Sequence, residues 1–351
     1  HARYLGEWLG DDGEKVVAVA VGKGKRNPEI GARSIGISRE FFTTVLKDYA
    51  DWREKWWREA IQNSVDAGAT KIDCRVVHND DATVTVSAED DGGGMNEDVL
   101  INKFLMLGGS TKVLGSGASG GFGKAKELLI LPWISWAVHT RDRLVRGEGI
   151  EYTVEDAPYK DGTQVTVVMP ADQTTNAAAA IAIITKCYLP NVRFSVLERK
   201  LDGTEERHRP KADLQGDEIF DSVPGKVDVY VAKVDYTSHY LYVRVNGLYM
   251  FSSWMSSLEH KQVIAEITAP SIEILTANRD GFRDYEVRRL LDQLTERFSK
   301  DVLSALRSKK GLIRKKFAGS GKFQAQRAQS EALSQISYIP PVEHGHTEIS
   351  T

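Results

Sequence analysis

Residues 37 to 67, ISREFFTTVLKDYADWREKWWREAIQNSVDA, contain neither glycine nor proline and run directly into Gly68. With apolar side chains at helical spacing (Phe41, Val45, Tyr49, Trp52, Trp56, Ala60), this run predicts a helical segment, continuous or broken. Ser38 is placed to cap its start, and Gly68 to close its end in the left-handed conformation. The last two turns carry Glu59, Asn63 and Asp66. At about 100° per residue, offsets of four and seven return to within roughly 40°, so the three polar groups leave the helix from one stripe. Such a stripe suits either a solvated face or a ligand that all three side chains meet. The remainder of the chain decides between the two.

A chain of 351 residues, 41% hydrophobic and 27% charged, is expected to fold as two domains of ordinary size. A net charge of -3 favours no partner class overall, so a nucleic-acid surface would have to be local. The longest apolar stretch, LLILPWISWAV (Leu128 to Val138), falls short of the roughly 20 residues of a membrane span and is expected to be a buried strand. Cys74 and Cys187 form neither a disulfide framework nor a metal-ligand cluster, and no signal-peptide pattern opens the chain. A reducing, cytoplasmic setting is the expectation.

After the helical segment, TKIDCRVV and ATVTVSAED alternate with period two around the turn-rich HNDD, which predicts a β-hairpin. The second strand runs into EDDGGGM, placing Asp90 and Asp91 at a strand end and Gly92 to Gly94 in a tight turn. Residues 103 to 123, KFLMLGGSTKVLGSGASGGFG, predict a glycine-rich lid leading into a helix near KAKELL. ISWAVHT, GIEYTV and GTQVTVVMP read as strands, and TTNAAAAIAIITKCYLP as a helix ending before Pro190. A domain boundary is expected near residues 205 to 225. Beyond it, KVDVYVAKV, HYLYVRVNGLYMF and QVIAEIT read as strands, and DYEVRRLLDQLTERFSKDVLSALRSKK as a long amphipathic helix.

None of these motifs is specific alone, but their order is. A helix with Glu-x-x-x-Asn-x-x-Asp, a strand ending Asp-x-Gly-x-Gly, a glycine-rich lid and a strand opening Gly-Thr follow one another between residues 37 and 170. This succession resembles the GHKL superfamily, the Bergerat-fold ATPases that include gyrase B, the ninety-kilodalton heat-shock chaperone, MutL, microrchidia proteins and sensor histidine kinases. The resemblance implies a two-layer α/β sandwich over about 37–205 that binds ATP and a magnesium ion. It assigns Asn63 to the magnesium, Glu59 to polarising the attacking water, and Asp90 to the exocyclic amino group of adenine. Gly92 and Gly94 would bring the backbone close to the base, Met95 would supply an apolar wall, and Thr163 would share a water with Asp90. Asp66 either orients the water shell or caps the helix end.

In the lid, the amides of Gly120, Gly121 and Gly123, with Phe122 and Lys124, match the phosphate-cradling segment, and Lys112 lies in GGSTK, which resembles a segment of MutL-like members. The box departs from several relatives at Ala125, where they carry a third glycine; a methyl there is tolerated only at negative φ.

The second half extends the resemblance. VRVNGLYM, a further strand, a loop and a long helix are similar to the smaller α/β transducer or middle domain that follows the ATPase in these families, here over 220–310. ILTANRDGFRD resembles the chaperone segment whose arginine reaches the γ-phosphate, which assigns that role to Arg279; the same residues also read as an exposed Asp-Gly turn. From Val302 to Ser330 there are eight Lys or Arg and no acid, a solvated extension or a nucleic-acid contact leading into a basic tail at 311–351. The expectation is a magnesium-dependent ATPase of slow turnover working as a nucleotide-gated dimeric clamp, with residues 1–36 as the exchanged arm. Three clients or uses remain open: nucleic acid, a protein substrate as for a chaperone, or nucleotide sensing with little hydrolysis as in phage rIIA-like proteins.

Overall fold

A computed structural model describes residues 41–298, apart from 43, 45, 49, 50 and 107–124. The expected arm at 1–36, Ser38, residues 107–123 of the glycine-rich lid, the basic run 302–330 and the tail at 311–351 lie outside the described residues.

The long helical segment is broken. Asp51 sits at φ 56 between a 3-10 turn, Leu46–Asp48, and the main helix α1, Trp52–Asp66. Aspartate tolerates the left-handed region better than most residues, and this one resets the helical phase. Consequently the apolar stripe does not run through: Phe41 is 54% exposed and Phe42 takes the buried place. At the other end Gly68 does adopt φ 77, and its amide donates to Val65 O while Ala69 N donates to Ser64 O. These two bonds satisfy carbonyls that the helix end would otherwise leave unpaired.

Two adjacent tryptophans, Trp56 and Trp57, are fully buried and turn α1 into the centre of its layer. Indole rings bury roughly 150–250 Å² but need an acceptor for their N–H. Trp56 donates to Leu129 O of α3 (Ala125–Leu129) at 3.0 Å, and Trp57 to Asn176 O, at the cap of α4 (Ala177–Ile184), at 3.1 Å. Between α1 and α3 a short helix α2, Glu97–Val99, continues as a π-helical turn, Leu100–Phe104.

This helical layer lies on a six-stranded mixed sheet of order β3-β4-β2-β1-β5-β6. The strands are β1 (Lys71–His78), β2 (Thr83–Asp90), β3 (Ser135–Glu148), β4 (Glu151–Pro170), β5 (Arg193–Arg199) and β6 (Glu205–His208). The predicted hairpin is present, with Ile72 opposite Asp90 and His78 opposite Val84. Ile72, Cys74, Val76, Val84 and Val86 are buried, while alternate residues such as Asp73, Arg75 and Glu89 face the open side. β1 and β5 run parallel, and α4 lies in the crossover that joins β4 to β5.

Two expectations need correction here. LLILPWISWAV is not a strand: Leu128 and Leu129 finish α3, residues 130–134 turn, and β3 starts only at Ser135. Pro132, which cannot donate to a ladder, sits in that turn. GIEYTV and GTQVTVVMP are one strand, β4, so Gly162 and Thr163 lie inside it at a register irregularity rather than opening it.

A second sheet, β7-β8-β9, is formed by β7 (Glu218–Val223), β8 (Val227–Val245) and β9 (Leu248–Ile267). HYLYVRVNGLYMF is divided between two strands, because Asn246 and Gly247, at φ 51 and 76, make the tight turn that an Asn-Gly pair favours. β8 and β9 are long enough to fold back on themselves, so Ile264 lies opposite both Tyr230 and Tyr242. A short helix α5, Ser271–Ile274, and a helix over 285–298 follow. The two sheets share one hydrophobic core. Their joint is built around Gly247, where an added Cβ would lie 2.1 Å from Tyr188 O, and Lys186, which lies over the Tyr249 ring and pairs with Glu54 at 3.2 Å.

Candidate functional site

The C-terminal end of α1 and the end of β2 meet at the Gly92–Gly94 turn. Gly93 N donates to Ala67 O at 2.9 Å, and a Cβ on Gly92 would come within 2.9 Å of the same oxygen. A glycine is therefore required for so close a backbone approach. Directly beside this contact, Asp90 Oδ1 accepts from Gly92 N at 2.9 Å and Thr163 N at 3.1 Å, and Oδ2 accepts from Ser64 Oγ at 2.9 Å. Burial pushes the Asp90 carboxyl above its ordinary value, against these three donors. A carboxylate offers about four lone-pair positions; three are filled here, leaving Oδ2 one acceptor position for an amino group.

Asp91, the next residue, has a different job. It accepts from the amides of Thr70 and Lys71 and from Thr70 Oγ1, all at 2.7 Å, which ties the start of β1 and lowers its pKa.

Met95 is half-buried against the core, and its amide donates to Thr140 Oγ1 at 2.8 Å. Thr140, fully buried, also meets Gly162 O and Thr163 Oγ1, each at 3.1 Å. A single hydroxyl pair thus links Met95 to Thr163 of β4, whose amide bonds Asp90. Gly162 makes the approach possible: at φ 72, a Cβ there would lie 2.0 Å from Asp90 O.

One to two turns earlier on α1 stand Asn63 and Glu59, both partly exposed, with Asp66 exposed at the helix end. Glu59 retains 13% side-chain exposure and is gripped from two sides, by Arg58 Nη2 at 2.7 Å and Arg279 Nη1 at 3.5 Å. Arg279 is not on an exposed turn. It is buried at φ 52 in a loop closed by Thr276 N to Gly281 O and Arg283 N to Ile274 O, and its Nη1 also bonds Gln62 Oε1. Arg58, 2% exposed, reaches back from α1 to Met250 O at 2.9 Å and Arg279 O at 3.4 Å. The stripe on α1 is therefore joined to the second sheet by two buried guanidinium groups.

Arg58 Nε and Gln62 Nε2 are buried with no acceptor among the described residues, an uncompensated cost in this corner. Among the described residues no cluster of three His, Cys, Asp or Glu could hold a metal ion. A magnesium ion at Asn63 fits only if phosphate oxygens and water complete its shell, as this cation commonly requires.

Of the residues the sequence singles out, Asp90, Gly92, Gly94, Met95 and Thr163 meet at the C-terminal end of α1, Glu59 and Arg279 meet midway along it, and Asn63 and Asp66 lie on the same helix. Lys112, Gly120, Gly121, Phe122, Gly123 and Lys124 lie outside the described residues. Ala125 opens α3 with helical backbone. Sequence reading misses Arg58, Gln62, Ser64, Thr140 and Gly162. Arg58 and Gln62 adjoin the Glu59–Asn63 pair and Ser64 follows it, and Gly162 sits in the Gly-Thr box, but no spacing rule points to Thr140.

Among the described residues no helix is long and apolar enough to cross a membrane. A search of curated proteins finds no match to the chain. Residues 54–146 match the family model for histidine kinase-, DNA gyrase B-, and HSP90-like ATPases. The match spans α1, the hairpin, the Gly92–Gly94 turn and Thr140, the elements that converge on Asp90 and Glu59. Over residues 54–146 the chain is therefore similar to the GHKL-type ATPase domain, a likeness that suggests ATP binding.

Proposed function

We propose that the protein is a magnesium-dependent ATPase whose nucleotide sits between α1 and the lid, and that it works as a nucleotide-gated dimeric clamp. The observation that carries this reading is the meeting of Glu59 and Arg279, 3.5 Å apart, from opposite parts of the chain. Asp90, with its remaining acceptor position, selects an amino-purine and rejects a base bearing oxygen at that place. Asn63 would hold the magnesium ion, which would supply charge neutralisation for the phosphates. Glu59 accepts a proton from the attacking water, and Arg279 offsets the charge that develops as the terminal phosphate leaves.

A transducer-like role for the second sheet is supported by Arg58 and Arg279, which would convey the state of the phosphate site to Met250 and to the 276–283 loop. Nucleic acid is the client that the basic run at 302–330 favours. A second reading, nucleotide sensing with little hydrolysis, has one observation in its favour: Arg58 at 2.7 Å already occupies the Glu59 carboxylate.

Arg279→Ala, with Arg279→Lys as a milder variant, tests the hydrolytic reading by single-turnover kinetics. Turnover is expected to fall about 100-fold or more, by analogy with loss of one charge-stabilising donor, with the ATP dissociation constant changed only a few-fold. Unchanged turnover in both variants would make Arg279 a structural tie only.

A further inference from the structure

The loop that follows β2 is held from the far side by two consecutive residues of β3. Thr140 takes the amide of Met95; Arg141 takes the carbonyl of Gly93, through Nε at 3.3 Å and Nη2 at 3.0 Å. Arg141 adopts φ 50, and the β3–β4 register is broken on both sides of it. A long side chain keeps that backbone conformation only where its surroundings fix it, and register breaks beside binding sites re-aim a side chain. Here the re-aimed chain lies along Gly94: a Cβ at Gly94 would meet Arg141 Cγ at 3.1 Å and Thr140 Oγ1 at the same distance. Arg141 is only half-buried, and no carboxylate pairs with it among the described residues. Its guanidinium is thus committed to one backbone carbonyl in the turn next to Asp90, and not to an ion pair that would explain it as a surface tie.

We propose that Arg141 is a specificity-setting positioning residue of the nucleotide pocket: by holding Gly93 O it fixes the 93–95 turn, and with it the gap between Asp90 and Met95 that admits a 6-amino-purine. It acts through the turn and touches no reacting atom. This inference rests on the nucleotide reading above and goes further, since it places discrimination between bases on a residue outside the Asp-x-Gly-x-Gly box.

The test compares wild type, Arg141→Met and Arg141→Lys. Methionine keeps the packing along Gly94 and removes the donors; lysine restores one donor. Dissociation constants for ATP and GTP are measured by competition against a fluorescent ATP analogue, with melting temperature recorded without nucleotide. Arg141→Met is expected to bind ATP about tenfold more weakly, the loss of a charge-assisted hydrogen bond, with GTP affinity unchanged and the melting temperature close to wild type. Arg141→Lys is expected to recover most of the ATP-over-GTP preference. A preference equal to wild type in Arg141→Met overturns the proposal, whether both affinities hold or both fall together. A wild-type protein that binds neither nucleotide overturns the nucleotide reading itself, and this inference with it.

Discussion

At the scale of the residue, Asp90 is a buried carboxylate whose ionised form the fold disfavours. Burial raises its folded-state pKa despite Gly92, Ser64 and Thr163. A raised carboxyl pKa means that folding favours the protonated form: its stabilisation is complete below the unfolded-state pKa and is lost as pH rises through the folded-state value. At neutral pH the ionised carboxylate is therefore a cost. Without nucleotide, Asp90→Asn is predicted to melt no lower than wild type at pH 7, and any advantage is predicted to vanish in acid, where wild-type Asp90 is protonated too. Nucleotide affinity of the wild type should weaken as pH falls through a window above the usual carboxylate range. Melting curves and ATP titrations across pH check both; an Asn variant several degrees less stable at pH 7 would mean that Asp90 is a structural carboxylate. Asp90 itself is legible in sequence because a strand ending in Asp-x-Gly-x-Gly is an ordered motif. Its partner Thr140 is not, because it is brought in by a strand pairing 50 residues away in sequence from Asp90.

Among the elements, α1 was the most legible, since a run without glycine or proline and a closing Gly68 leave little choice. What the spacing could not show was the break at Asp51, because a left-handed aspartate leaves no mark in an apolar pattern. β4 was read as two strands because the sequence shows the turn-forming Asp161-Gly162 pair but not the ladder that continues across it. The glycine in that pair is open to a direct test. Gly162→Ala must accommodate both φ 72 and a Cβ 2.0 Å from Asp90 O, whereas Gly203, at φ 83, has nothing within 4 Å of its Cβ position. Gly203→Ala is predicted to cost about 1 kcal/mol, the left-handed penalty alone. Gly162→Ala is predicted to cost on the order of 3 kcal/mol or more and to displace Asp90, read by chemical denaturation and ATP titration. Equal losses at the two positions would show that β4 can shift away from β2.

For the whole molecule, the order of motifs made the superfamily legible, while the joining of the two sheets was not. Arg58 looks like an ordinary charged residue of an exposed helix, yet it is buried and bonds Met250 O, 192 residues away in sequence. Arg279 was legible only by resemblance, and its contact with Gln62 needed the folded chain. Together they put the candidate base and the second sheet in one buried network, so a change at Glu59 reaches β9 through one ion pair and one hydrogen bond of Arg58. The central claim is that this network serves ATP hydrolysis. It is tested most directly by measuring ATP binding and magnesium-dependent turnover together for wild type, Glu59→Ala and Asp90→Asn. The account predicts that wild type binds and slowly hydrolyses ATP, that Glu59→Ala binds it without turnover, and that Asp90→Asn fails to bind. Turnover by Glu59→Ala at the wild-type rate, or ATP binding undiminished in Asp90→Asn, would contradict it.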